Sequence, residues 1–150
     1  MRLTDYTDYA LRVLMYLGTN PGRQVTVEEI ASAHGISRNH LTKVVHRLGL
    51  AGMVDTMRGR SGGIRLAHDP ASLMIGAVVR LTEPDFTMVE CFDEMHNTCQ
   101  LSPSCILKRK LGMATAAYLA QLDQVALADV LPAPGAPPFH FSAPVWTISS

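Results

Sequence analysis

"SRNHLTKVVHRLGLAG", residues 37–52, is the stretch on which the fold of this chain turns. Leu41, Val44, Val45 and Leu48 recur at i, i+3, i+4 and i+7, the spacing of one buried helix face. The opposite side carries Asn39, Thr42, Lys43 and His46, with Arg38 and Arg47 flanking, and Ser37 stands where an N-cap belongs. Immediately upstream, "TVEEIASAHG" (26–35) reads as a shorter helix, with Thr26 and Glu29 at capping-box spacing and Gly35 as its stop. Only Ile36 separates Gly35 from Ser37. Two helices on a tight glycine turn, the second polar and basic on its free face, match a helix-turn-helix.

Downstream, "MVDTMRGRSGGIRLAHDP" (53–70) alternates around Val54 and Thr56, and again around Ile64 and Leu66, with a tip of Gly59, Arg60, Ser61, Gly62 and Gly63. This predicts a short hairpin, and a hairpin directly after a helix-turn-helix is a wing. Upstream, Tyr6, Ala10, Val13, Leu14 and Leu17 predict a helix over 4–18 with Thr4 as N-cap. A short helix is expected over 72–81, capped by Ser72 and closed by Pro84, and a long one over 106–122. The latter has a stripe of Leu107, Leu111, Ala114, Tyr118, Leu119 and Leu122 that should bury itself against a second copy of the chain. From Pro132, "PAPGAPP" places four prolines in seven residues and predicts an extended or disordered tail. The expected fold is mainly α. A winged helix-turn-helix occupies 1–70, a cluster-binding loop and dimerisation helices occupy 71–131, and a Pro-rich tail occupies 132–150.

Net charge is zero over 150 residues, yet the charges are segregated. Residues 38–65 carry Arg38, Lys43, Arg47, Arg58, Arg60 and Arg65 against Asp55 alone, whereas residues 83–94 carry Glu83, Asp85, Glu90, Asp93 and Glu94 with no base. The basic block points to a polyanion. In the first two turns of the 37–52 helix, Arg38, Asn39, His40 and Lys43, with Thr42 on the same face, are placed to reach base edges in a major groove. Arg58, Arg60, Ser61, Gly62 and Gly63 form a wing tip suited to the minor groove or its phosphates, and Arg65 is a phosphate-contact candidate. A solvated helix face, or a flexible turn with two arginines, would explain either feature alone. Both in succession favour double-stranded DNA.

All three cysteines lie in "ECFDEMHNTCQLSPSC" (90–105), as Cys91, Cys99 and Cys105. An odd number of cysteines in a chain large enough to fold unaided argues against a disulfide framework. Neither secretory signal nor membrane span is evident, which predicts a cytoplasmic protein. Gaps of seven and five residues exceed zinc-finger spacing and lack the two-residue spacing of thioredoxin-like motifs. Soft thiolates on wide loops suit an iron–sulfur cluster, which commonly has four ligands. A structural zinc held by the cysteines and His96 remains the competing reading, and unrelated free cysteines a third. No nucleotide-binding glycine motif or substrate-site constellation suggests an enzyme.

Five blocks in order, "MRLTDYTDYALR", "GISRNHLTKVVHRLGLAGMV", "RGRSGGIRLA", "TCQLSPSCILK" and "LDQVALADVL", resemble the winged-helix iron–sulfur regulators of bacteria over residues 1–131. Within them the chain is similar to the nitric-oxide-sensing, NsrR-type repressors. A related branch that senses cluster supply has a [2Fe–2S] cluster and a histidine three residues after the last cysteine, where this chain has Lys108. The resemblance implies a homodimeric repressor bound to a palindromic operator. It further implies a [4Fe–4S] cluster on Cys91, Cys99 and Cys105, with Asp8 of the other subunit as fourth ligand and nitric oxide as effector. The seven-residue gap after Cys91 is longer than in several members, which keeps a ligand role for Asp93 or His96 open. On its residues alone, Asp8 is an acid at the start of a helix, favourable there for the macrodipole.

Overall fold

The computed structural model describes residues 2–59 and 62–132. The expected tail from 132 therefore lies almost wholly outside the described residues, as do Arg60 and Ser61 of the wing.

Helix α1 (Asp5–Gly18) begins where the Thr4 hydroxyl accepts the Thr7 N–H (3.3 Å), and its Ala10, Val13, Leu14 and Leu17 are buried. Helix α2 (Val27–His34) opens with the Thr26 hydroxyl accepting the Glu29 N–H (3.1 Å) and stops at Gly35, left-handed at φ +63°. The capping box is only half formed. The Glu29 carboxylate turns instead to the Arg23 guanidinium and the Tyr16 hydroxyl, a charge-assisted partner and a neutral one. Helix α3 (Arg38–Leu50) buries Leu41, Val44, Val45 and Leu48, as its periodicity demands, while Ser37 occupies the cap position without a side-chain bond.

Strands β1 (Val54–Met57) and β2 (Gly63–Leu66) pair antiparallel, with Val54 opposite Leu66 and Thr56 opposite Ile64. The α1–α2 loop extends this wing: Val25 exchanges two backbone hydrogen bonds with Ile64, at 3.0 and 2.7 Å. That pairing explains Gly63, where an added Cβ would sit 2.9 Å from the Val25 carbonyl oxygen.

Helix α4 (Ile75–Thr82) starts later than the sequence predicts. Asp69 and Pro70 set up a separate 3₁₀ turn over Pro70–Ser72, and the Ser72 hydroxyl bonds the Asp69 carbonyl (2.8 Å) instead of capping a helix; Met74 holds the cap position of α4. Helix α5 (Ile106–Leu122) keeps its predicted limits. Its Leu119 and Leu122 pack on the core and Thr115 is buried, but Ile106, Leu107 and Met113 are 65, 64 and 59% exposed. Its C-terminal end is clamped to α4 by an Arg80–Asp123 ion pair, and Gly76 gives Asp123 room to approach. Helix α6 (Leu127–Val130), which periodicity did not predict, inserts fully buried Leu127 into the same core. It is held by the Leu127 N–H donating to Leu73 (2.7 Å) and the Ile75 N–H donating to Val125 (2.9 Å).

Candidate DNA interface and metal centre

The first two turns of α3 project outward. Asn39, Thr42 and Lys43 are exposed; the Thr42 hydroxyl bonds the Arg38 carbonyl (2.9 Å), and Arg38 makes a loose exposed pair with Glu28 (3.5 Å). Such a pair is worth little and yields readily to a phosphate or a base edge. His40 leans back on α1, its ring stacked on Tyr9 with centroids 6.4 Å apart. The neighbouring Tyr6 hydroxyl donates to the Lys43 carbonyl (3.2 Å), so α1 braces the N-terminal half of α3.

Two residues of the basic block have partners within the chain. Arg47 donates through Nε and Nη2 to the Leu81 carbonyl, at 3.2 and 3.0 Å, closing the end of α4. Arg65 pairs with Asp55 directly across the hairpin (3.2 Å), which offsets its charge. On the wing, Arg58 is exposed and Gly59 has φ +115°. Gly62 is demanded by the hairpin itself, since a Cβ there would meet the Met57 carbonyl oxygen at 2.6 Å.

The acidic segment between α4 and α5 presents the cysteines, all with free thiols. Cys91 sits half-buried in a 3₁₀ turn (Glu90–Phe92), Cys99 is exposed, and half-buried Cys105 caps α5. The Glu90 carboxylate accepts both the Thr98 N–H and the Thr98 hydroxyl at 2.6 Å, which holds it below the usual carboxylate range. This bond closes the segment at its neck and throws the intervening residues outward, with Met95 88% exposed. Asp93 and His96 lie on that bulge 2.7 Å apart, and the His96 bond holds the Asp93 carboxyl down. The long gap after Cys91 is thus taken up by a bulge whose two candidate ligands are bonded to each other.

At the other arm, the Cys105 Sγ accepts the Lys108 N–H (3.4 Å), and the Lys108 ammonium reaches the Ser102 hydroxyl (3.2 Å). An open cavity of about 730 Å³ lies here, lined by Phe86, Phe92, Cys105, Ile106, Lys108 and Arg109. Among the described residues, no three of Cys, His, Asp and Glu converge on a point that could hold a single ion. Three free, soft donors on one segment fit a thiolate-held cluster by their chemistry. Asp8 is on α1, half-buried and paired with Arg12 at 2.9 Å. Close by, His34 packs edge-on against Tyr16. Burial first, and then the Arg12 charge, push its imidazole below the usual histidine range, with Asp8 opposing. Arg12, Tyr9 and His34 carry no motif in the sequence; only the i, i+4 spacing of Asp8 and Arg12 signals their pairing.

The chain belongs to the Rrf2 family, described as iron-dependent transcriptional regulators, which it matches over residues 3–133. It is 53% identical over 132 residues to the HTH-type transcriptional regulator NsrR of Bacillus subtilis (strain 168), covering 87% of this chain and 90% of the relative. The NsrR of Bacillus licheniformis is 52% identical over 132 residues, covering 87% of this chain and 92% of that one. These relatives are transcriptional regulators, not enzymes. Among solved structures, the global cysteine regulator CymR of B. subtilis superimposes with a TM-score of 0.71 at 24% identity, covering 86% of this chain and 95% of that one. The IscR of T. potens gives 0.69 at 22% identity, covering 86% and 85%. Both likenesses bear on the fold alone. No helix among the described residues is long and apolar enough to cross a membrane.

Proposed function

We propose that this transcriptional regulator is a homodimeric repressor that binds a palindromic operator and releases it in response to nitric oxide, through a [4Fe–4S] cluster held by Cys91, Cys99 and Cys105. The observation that carries this reading is the placement of three free thiols on one segment, between α4 and α5. The 53% identity to a relative named NsrR supports the choice of branch. The exposed Ile106, Leu107 and Met113 of α5 supply an apolar face for a second copy.

The bound cluster would supply iron reactive toward nitric oxide and a coordination position for Asp8 of the other subunit. The chain's own residues do the rest. Cys105 stands at the start of α5, where its sulfur already faces inward to the first turn and accepts the Lys108 N–H. Asp8, when not a ligand, has Arg12 to return to. Arg38, Asn39, Thr42 and Lys43 enter the major groove, with His40 beside them, and Arg58 with the wing tip (Arg60, Ser61, Gly62, Gly63) follows the adjacent backbone.

The test is iron, sulfide and zinc per chain on anaerobically purified protein, followed by a nitric oxide titration of operator binding. About four iron and four sulfide, with operator released by nitric oxide, is the expected result. About two of each would move the chain to the cluster-supply or redox-sensing branch. Stoichiometric zinc without sulfide would end the gas-sensor reading.

A further inference from the structure

The last turn of α4 and its C-cap, Glu83, receive three separate contacts from the DNA-binding half of the chain. Arg47, at the C-terminal end of the recognition helix, donates two hydrogen bonds to the Leu81 carbonyl, at 3.2 and 3.0 Å. The buried Thr7 hydroxyl donates to the Thr82 hydroxyl (2.8 Å), which in turn donates to the Val78 carbonyl (2.8 Å). The Glu83 carboxylate accepts both the Thr4 N–H (2.8 Å) and the Thr4 hydroxyl (3.1 Å), capping α1 from 79 residues away. Three consecutive residues therefore hold the recognition helix and the first turn of α1, and the cysteine segment leaves the helix at the next position.

These contacts are not what local rules place there. An acid at a helix C-terminus is unfavourable to α4, since carbonyl oxygens already concentrate negative charge there. At the N-terminus of α1 the same carboxylate satisfies an orphan amide. Arg47 reverses the expectation in the same way: a cation on the basic helix is spent on a backbone carbonyl of another element.

We infer that Leu81, Thr82 and Glu83 are the junction through which the cysteine segment sets the position of both α1 and the recognition helix within one chain, with Arg47, Thr7 and Thr4 as its positioning residues. Any displacement of the segment that unwinds or turns the end of α4 moves both helices together, because each is hydrogen-bonded directly to Leu81, Thr82 or Glu83. This route is intrachain and stands beside the cross-subunit link proposed for Asp8. It rests on the proposed function only for what displaces the segment.

The primary test needs neither cluster nor DNA. Amide hydrogen exchange on the full-length, metal-free protein is compared with that of Arg47→Met, which keeps the apolar stem and removes the fork. The junction predicts faster exchange at Thr7 and Asp8 of α1, to which Arg47 donates no hydrogen bond. Changes confined to α3 and the end of α4 overturn it. The second test uses cluster-loaded and metal-free protein on a duplex selected from a randomised pool with the wild type. Arg47→Met and Glu83→Ala should lower the loaded-to-free affinity ratio about fivefold or more at unchanged iron content. Glu83→Gln, which keeps an acceptor for Thr4, should restore the ratio. Parallel weakening of both forms, with the ratio kept, also overturns the inference, as does a salt-dependence slope about one unit shallower in Arg47→Met, which would make Arg47 a phosphate contact. A wild-type ratio of one would fail the proposed function and leave the exchange experiment to decide the junction.

Discussion

Asp8 and Arg12 stand one turn apart on α1 with their charged groups 2.9 Å from each other, both partly open to water. A pair of this kind on a helix surface contributes only about 0.3–0.5 kcal/mol. The carboxylate is therefore held in place but not locked, which is what a residue needs if it is to exchange one partner for another. Asp8→Ala should cost the metal-free protein less than about 1 kcal/mol in urea unfolding, counting the lost pair and the lost first-turn acid together. The same substitution should make the loaded protein shed iron faster under chelator. A large loss of stability with unchanged iron retention would return Asp8 to a purely structural part.

The three cysteines differ in setting, and their substitution should reveal it. Cys99 is exposed and Cys91 half-buried in a short turn, whereas Cys105 caps α5. Each Cys→Ala variant should lose iron and tight operator binding together. Cys105→Ala alone should also lower the melting temperature of the metal-free protein slightly, because it removes the N-cap acceptor of α5, a weak one since it is sulfur. An iron-free variant that binds operator as tightly as the loaded wild type would sink the cluster-dependent mechanism.

Much of this was legible because the deciding signals are local. The Leu41–Leu48 stripe, the Gly35 turn and the alternation around Ile64 each depend on a few neighbours, and each forms as its spacing dictates. What was not legible depends on partners far along the chain. Helix α6 is four residues long and exists through backbone bonds to Leu73 and Ile75, so no periodicity could announce it. Arg47 counts in the sequence only as one charge of the basic block, because its acceptor is a carbonyl 34 residues away. Glu29 had capping-box spacing, yet a better-charged partner, Arg23, was waiting outside the motif. The cysteine cluster was plain as a composition signal, while the Glu90–Thr98 bond that shapes its loop follows no spacing rule.

The DNA face allows base contacts to be separated from phosphate contacts. Asn39 is exposed at the start of α3, where an amide reads adenine in bidentate fashion. Asn39→Ala should cost about 1–3 kcal/mol on the preferred duplex and narrow its margin over a single-base variant. Arg58→Ala on the wing should weaken binding to both duplexes alike and reduce the slope of log affinity against log salt by about one. If Arg58→Ala leaves that slope unchanged, the wing does not sit on the backbone as proposed.

His34 gives the chain a pH response whose sign can be stated. Its Nε2 is buried without a hydrogen-bond partner among the described residues, and burial and Arg12 push its pKa below the ordinary 6.5. The unfolded chain thus takes up a proton near pH 6.5 while the folded chain declines it until lower pH. Between those two values the unfolded state binds more protons, so folding stability must fall as pH falls. Above about pH 7 both states hold a neutral imidazole, and His34 adds no pH dependence there. Urea midpoints of the metal-free protein should accordingly drop between pH 7 and pH 5. His34→Gln, which cannot take the proton, should flatten that part of the curve relative to wild type. The effect should deepen in Asp8→Ala, because Asp8 is the one neighbour that raises the imidazole while Arg12 lowers it. A wild-type curve that stays level from pH 7 to pH 5, or one that His34→Gln does not flatten, would remove the buried imidazole as the cause.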